Sequence, residues 1–228
     1  MSLTIALVGA GRMGAFFGNQ MPADAKKIVI DTDEDKARQL AEKIGATFDT
    51  SLSAASSADV VAIVLPGPVV NPVAAQLGPI VKDDAVVMNM ATEGAIDEET
   101  KRTYPAAHFV DAKIIGHARS MVLGAPGYVV VNTEDKSVFQ KVAYCLPGYA
   151  KVVMGDSSVV PRINKIGSGE GIRAAVTVRK LLKQYNIPRE WEDIVIYTVC
   201  AGTMRSYVEG DLGEFARKLA DQLEAEQG

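Results

Sequence analysis

The chain has 228 residues, a net charge of −4 and 48% hydrophobic residues. At about 150 residues per domain that length gives roughly one and a half domains, and the composition excludes an intrinsically disordered chain. The acidic balance offers no broad basic field for a nucleic-acid backbone, so nucleic acid is not an expected partner.

In chain order, residues 3–11 are apolar but lack the basic leader of a signal peptide. They read instead as a first buried strand, residues 4–8 (TIALV), followed by Gly9-Ala-Gly11-Arg-Met-Gly14 and a helix-compatible stretch to Gln20. Residues 28–31 form a second strand. In residues 34–44 Ala37, Leu40, Ala41 and Ile44 recur at helical spacing. Residues 47–48 are a short strand candidate, and 60–65 (VVAIVL) an unambiguous buried strand. A helix over 69–77 leads to a strand at 86–90. Strands at 108–111 and 128–131, a helix over 138–144 and a strand at 151–154 close the series.

Strands buried on both faces read as continuous Val/Ile/Leu runs, and alternation with helices implies right-handed crossovers in a parallel sheet. Residues 1–156 are therefore expected to form an α/β, Rossmann-type, doubly wound and mostly parallel sheet. Residues 157–228 are expected to form a small all-helical domain. In that part 163–185 can form one long helix, 190–207 a second and 212–227 a third; 194–199 fits a strand as well as a helix. No uncharged apolar run approaches the ~18 residues needed to cross a bilayer, so no membrane partner is expected. Cys145 and Cys200 form neither a secreted disulfide framework nor a metal-ligand spacing, which points to a reducing cytoplasm and no catalytic metal.

The glycine motif sits where its chemistry requires, after a buried strand and at the opening of a helix. Gly9 allows a tight turn, Gly11 lets the backbone approach a pyrophosphate, and Gly14 lets the helix pack closely. Ala10, Arg12 and Met13 complete the loop, whose helix N-terminus favours phosphate. Asp31 ends the second strand 22 residues after Gly9. An acid there accepts from ribose hydroxyls and repels a 2′-phosphate, and no arginine follows it directly, which favours NAD over NADP. Leu65 and Pro66 follow the fourth strand and Thr92 the fifth, at the carboxyl ends where such sheets bind ligands. Both segments also read as simple turns.

The glycine loop and the helical C-terminal part resemble the 6-phosphogluconate dehydrogenase / β-hydroxyacid dehydrogenase superfamily. Asp111-Ala-Lys-Ile-Ile-Gly116-His117 looks like its substrate-loop motif, with Ile115 in place of the usual serine and His117 in place of the second glycine. Asn164-Lys165-Ile-Gly-Ser168 looks like its Lys-x-x-Asn motif, with Ser168 in place of the asparagine. The resemblance implies Lys165 as general acid/base, a small carbonyl or hydroxy-acid substrate, and a homodimer through the C-terminal helices. Gly167-Ser-Gly169 is also similar to pyrroline-5-carboxylate reductases, which reduce imines. The short chain is similar to the F420-dependent NADP reductases, which act on a deazaflavin.

Three readings follow: a carbonyl or hydroxy-acid oxidoreductase, a reductase of an imine or deazaflavin, and a non-catalytic NAD(H)-sensing module. On a helix Lys165 and Ser168 share a face, placing an ammonium beside a hydroxyl. A desolvated lysine can donate the proton a reduced carbonyl needs; His117 is the alternative donor. Glycines at 167, 169 and 171 cost a helix about 1 kcal/mol each. Their presence implies either close approach of another group or a helix that starts only after Gly171. Trp191, Tyr197 and Tyr207 are candidate core or interface anchors. The nearly continuous apolar run through Ile194–Cys200 must be covered on more than one face.

Overall fold

A computed structural model describes residues 2–148 and 150–227. The chain divides into two compact units, Met1–Asn164 and Lys165–Gly228.

The first unit is one eight-stranded sheet in the order β3-β2-β1-β4-β5-β6-β7-β8. Its strands are β1 (Thr4–Val8), β2 (Lys26–Ile30), β3 (Thr47–Asp49), β4 (Val60–Ile63), β5 (Val86–Asn89), β6 (His108–Ile115), β7 (Tyr128–Val131) and β8 (Lys151–Met154). Between them run α1 (Arg12–Gly18), α2 (Glu34–Ile44), α3 (Gly67–Leu77), α4 (Glu98–Thr103), α5 (Ala118–Val122) and α6 (Lys136–Tyr144). Every pair of neighbouring strands is parallel except β6 and β7.

Alternation along β1 explains the layering. Ile5 and Leu7 enter one core, with Phe17, Leu40 and Val142; Ala6 and Val8 enter the other, with Val70, Ala74 and Leu77. Both faces are covered by helices, which is why the central strands β1 and β4 carry no polar alternation. Fully burying each large aliphatic side chain stabilises the fold by about 1.5–3 kcal/mol. α2 starts where Asp33 accepts a hydrogen bond from the Lys36 amide and stops at Gly45, whose φ of +67° is left-handed. Those caps account for its sequence-readable bounds.

Register places the functional edge. Val8 pairs with Ile30 on one side and Ile63 on the other, and Ile63 with Asn89, so the carboxyl ends of β2, β1, β4 and β5 lie level. The chain leaves β1 in opposite directions across the sheet, which creates the crevice of a doubly wound fold.

Several sequence-based bounds need correction. β6 continues four residues past Asp111, because Lys113 finds partners inside the fold. The helix after the glycine loop stops at Gly18 rather than Gln20, and β2 ends at Ile30, leaving Asp31 as the first residue beyond it. β4 ends at Ile63, and α3 starts at Gly67 with Pro68 in its first turn, a position where a missing N–H costs nothing.

The second unit contains most of α7 (Val160–Leu182), then α8 (Arg189–Ile194), which continues through a π-helical stretch, Val195–Cys200, into α9 (Ala201–Glu209), and α10 (Glu214–Gln227). Residues 194–199 are thus helical, and α7 runs unbroken through Gly167, Gly169 and Gly171, so it does not begin after them. A Cβ at any of the three would face open space. Arg179 pairs with Asp193 at 2.6 Å, and the Tyr207 hydroxyl donates to Glu224 Oε1 at 2.6 Å, tying α7 to α8 and α9 to α10. Among the described residues 165–227 none is fully buried. Trp191, Tyr197 and Tyr207, candidates for core or interface anchors, are 59%, 71% and 52% exposed, so they are not core residues; three helices alone enclose too little volume to bury them.

Candidate functional site

The glycine loop meets different steric demands at its three glycines. Gly9 has a φ of +109°, and a Cβ there would lie 2.5 Å from the Val64 carbonyl oxygen. A Cβ on Gly14 would lie 1.9 Å from the Gly9 carbonyl oxygen, so α1 can start this close only as glycine. A Cβ on Gly11 meets nothing within 4 Å. Two glycines are thus required by the protein's own packing, whereas the third faces open space. The Ala10 amide donates to Asp31 Oδ2 at 2.7 Å and the Asp33 amide to Asp31 Oδ1 at 2.9 Å. Asp31 therefore braces the loop as well as facing the crevice.

Two cavities flank Leu65, which lines both. The larger, about 690 Å³, includes Gly11, Arg12, Met13, Pro66, Thr92 and Asn164 in its wall. The smaller, about 550 Å³, includes Asp31, Thr32, Ser51, Ser53, Val73 and Gln76. Among the described residues, no lysine or arginine is part of the smaller cavity's wall. The pair straddles the β1/β4 crevice, an arrangement that could hold the two halves of a dinucleotide with the diphosphate across Gly11.

The structure thus brings Gly11, Arg12, Met13, Leu65, Pro66 and Thr92 together at one cleft and sets Asp31 at the other. Gly9, Ala10 and Gly14 shape the loop from behind. His117 caps α5 between two cleft-lining residues, Gly116 and Ala118; its own ring is exposed, with Nδ1 3.1 Å from Ser120 Oγ. Lys165 and Ser168 lie in the second unit, exposed, one turn apart on α7. The residue before them, Asn164, lines the larger cleft and donates from Nδ2 to the Ile114 carbonyl at 2.7 Å.

Sequence reasoning missed a buried polar cluster under this cleft. Asn89 is 0% exposed, Lys113 3% and Asp111 7%. Asn89 and Asp111 are cross-strand partners, and Asn89 Nδ2 donates to Asp111 Oδ1 at 2.6 Å. Lys113 Nζ donates to the carbonyls of Ala91 at 2.5 Å and Gly94 at 2.6 Å. Burial pushes the Lys113 ammonium below the ordinary lysine range, and the charge of Asp111 opposes that shift. The signal was present: asparagine within VVMNM, and acid and lysine two residues apart in HFVDAKII, put polar groups on one face of otherwise apolar strands. The loop they touch also packs backbone to backbone on the start of α3: a Cβ on Gly94, at φ +85°, would lie 2.7 Å from the Gly67 oxygen.

Solved structures share this architecture across most of the chain. Pyrroline-5-carboxylate reductase from Coxiella burnetii aligns with a TM-score of 0.76 at 16% identity, covering 98% of this chain and 85% of that one. This is the fold of the Rossmann dehydrogenases. An imine reductase from Myxococcus stipitatus in complex with NADP+ aligns at 0.70 and 17%, covering 90% and 75%. 3-Hydroxyisobutyrate dehydrogenase from Salmonella typhimurium aligns at 0.66 and 20%, covering 92% and 80%. Residues 4–92, under half of the chain, match a family model described as NADP oxidoreductase, coenzyme F420-dependent. No curated protein matches the chain by sequence. These similar proteins are dehydrogenases and reductases, and NADP is named for the matched family and for the imine reductase. No described helix is long and apolar enough to cross a membrane.

Proposed function

We propose that the chain is a nicotinamide-dependent oxidoreductase that prefers NAD. The observation that carries the reading is the glycine loop between two cavities, tight at Gly9 and Gly14 and open at Gly11. Gly11, Arg12 and Met13 would border the diphosphate, Leu65 and Pro66 would separate the two halves, and Thr92 would border the nicotinamide. Bound there, the nicotinamide supplies or accepts the hydride. Asp31 supports NAD: a 2′-phosphate would meet a carboxylate in a cavity wall without a cation. This preference departs from the NADP named for the matched family and for the imine reductase.

The substrate in this reading is a small carbonyl or hydroxy acid, with Lys165 holding a proton at Nζ for the oxygen of the group reduced and Ser168 beside it. His117 is the second candidate for that proton. An imine or deazaflavin is the competing substrate, favoured by the named activities of the matched family and two of the neighbours. The exposed apolar residues of the second unit support a homodimer through the C-terminal helices. The two free thiols suit a reducing, cytoplasmic setting.

Titration with NADH and NADPH, followed by cofactor-oxidation assays over carbonyl, imine and deazaflavin substrates, tests the proposal. Binding of neither cofactor would overturn it. Tight NADH binding with no turnover on any substrate would assign a sensing role instead.

A further inference from the structure

The buried ammonium of Lys113 has no place in the chemistry above, yet it lies directly beneath the cleft. Ala91 and Gly94 bracket Thr92 and Glu93, two residues of the cleft wall. Both ends of this bracket are held. The Ala91 amide donates to Asn89 Oδ1 at 2.9 Å, and the Ala91 carbonyl accepts from Lys113. The Gly94 carbonyl accepts from Lys113 and, at 3.1 Å, from Asn89 Nδ2. Asp111 completes the arrangement by orienting the Asn89 amide.

We propose that Asn89, Asp111 and Lys113 form a clamp that presets the loop Ala91–Gly94 for the nicotinamide half of the cofactor, with Lys113 as the positioning residue. The proposal rests on the cofactor reading above. Burying a lysine among apolar strands is costly, and hydrophobic packing would hold the sheet equally well. What an ammonium adds is several donors on one atom, which can draw two carbonyls three residues apart to a single point. A loop fixed in this way loses no freedom when the ligand arrives, so the clamp acts through preorganisation. The effect is local: the smaller cavity, beyond Leu65, shares none of these residues.

The test compares Lys113→Met with the unaltered protein by titration with NADH and with ADP-ribose, which lacks the nicotinamide. Misplacement of a positioning loop by about 1 Å is expected to weaken NADH roughly tenfold or more, with ADP-ribose within about twofold. Equal loss for both ligands, or for neither, overturns the clamp. Failure of the unaltered protein to bind NADH overturns the cofactor reading, and the clamp's role with it. Should Lys113→Met not fold, hydrogen exchange on the unaltered, cofactor-free protein decides. The Ala91 amide should exchange as slowly as the β5 amides, and rapid exchange that slows only when NADH is added overturns the proposal.

Discussion

Replacing Asp31 with asparagine separates two roles of one carboxylate, the loop brace seen in the structure and the ribose acceptor proposed above. Its oxygens accept from the Ala10 and Asp33 amides at 2.7 and 2.9 Å. Asparagine keeps one accepting oxygen and turns an NH2 toward the other amide, so one charge-assisted bond is lost. Such bonds contribute about 1.5–3 kcal/mol, and because the site is half-buried the released amide rehydrates, leaving a cost of about 1–2 kcal/mol. At about 2–4 °C per kcal/mol for a chain of this size, Tm should fall by roughly 2–8 °C. Cofactor binding should respond asymmetrically. Loss of the charged acceptor for a ribose hydroxyl weakens NADH by about ten- to a hundredfold. For NADPH the same change removes a repulsion, so its affinity should hold or improve. Calorimetric titration of both cofactors against both proteins measures the ratio. Parallel weakening of NADH and NADPH would refute the ribose role and leave Asp31 as a brace for the glycine loop alone.

The glycines give a contrast measurable by thermal melts. Gly14→Ala drives a methyl into the Gly9 carbonyl and should cost about 3 kcal/mol, the upper end of overpacking. Gly11→Ala, which meets nothing, should leave Tm nearly unchanged while weakening NADH; a native-like Tm for Gly14→Ala would refute the geometry. Lys165→Ala should lower kcat by about 10²–10⁴ if it holds the catalytic proton. A smaller change than tenfold would move the role elsewhere, with His117→Ala as the companion variant. Lys113 predicts a pH effect. Its folded pKa lies below the unfolded value of 10.5, so between the two the unfolded chain binds more protons and stability rises with pH. Relative to Lys113→Met, the unaltered protein should therefore gain stability in urea melts as pH climbs toward 10.5; parallel profiles would refute the buried charge. Light scattering should report a dimer, and a monomer at working concentration would remove the C-terminal interface.

What could be read in advance shares one property: each signal is local. The helix Glu34–Ile44 was legible because its apolar period, Ala37, Leu40, Ala41 and Ile44, falls within eight residues. The strand Tyr128–Val131 was legible because its buried valines leave a continuous apolar run, and the edge strand Lys151–Met154 because Val152 and Val153, though only half-buried, are β-branched neighbours. The end of β6 was not. Asp111 and Lys113 look like the close of a strand until Asn89, Ala91 and Gly94, about twenty positions earlier, are brought beside them. The antiparallel entry of β7 was equally hidden, since strand polarity depends on the path of a connection rather than on composition.

By itself the sequence determined the α/β architecture, the loop Gly9–Gly14 and the acid at position 31, because turn geometry, helix starts and strand burial are written in short windows. Only the tertiary structure decided what each of these groups touches. It set Gly14 against the Gly9 carbonyl, tied Asp31 to Ala10, and gathered Asn89, Asp111 and Lys113 under the loop Ala91–Gly94. A buried polar group persists only where partners satisfy it, and here those partners are supplied by the register of neighbouring strands, which no short window of sequence contains.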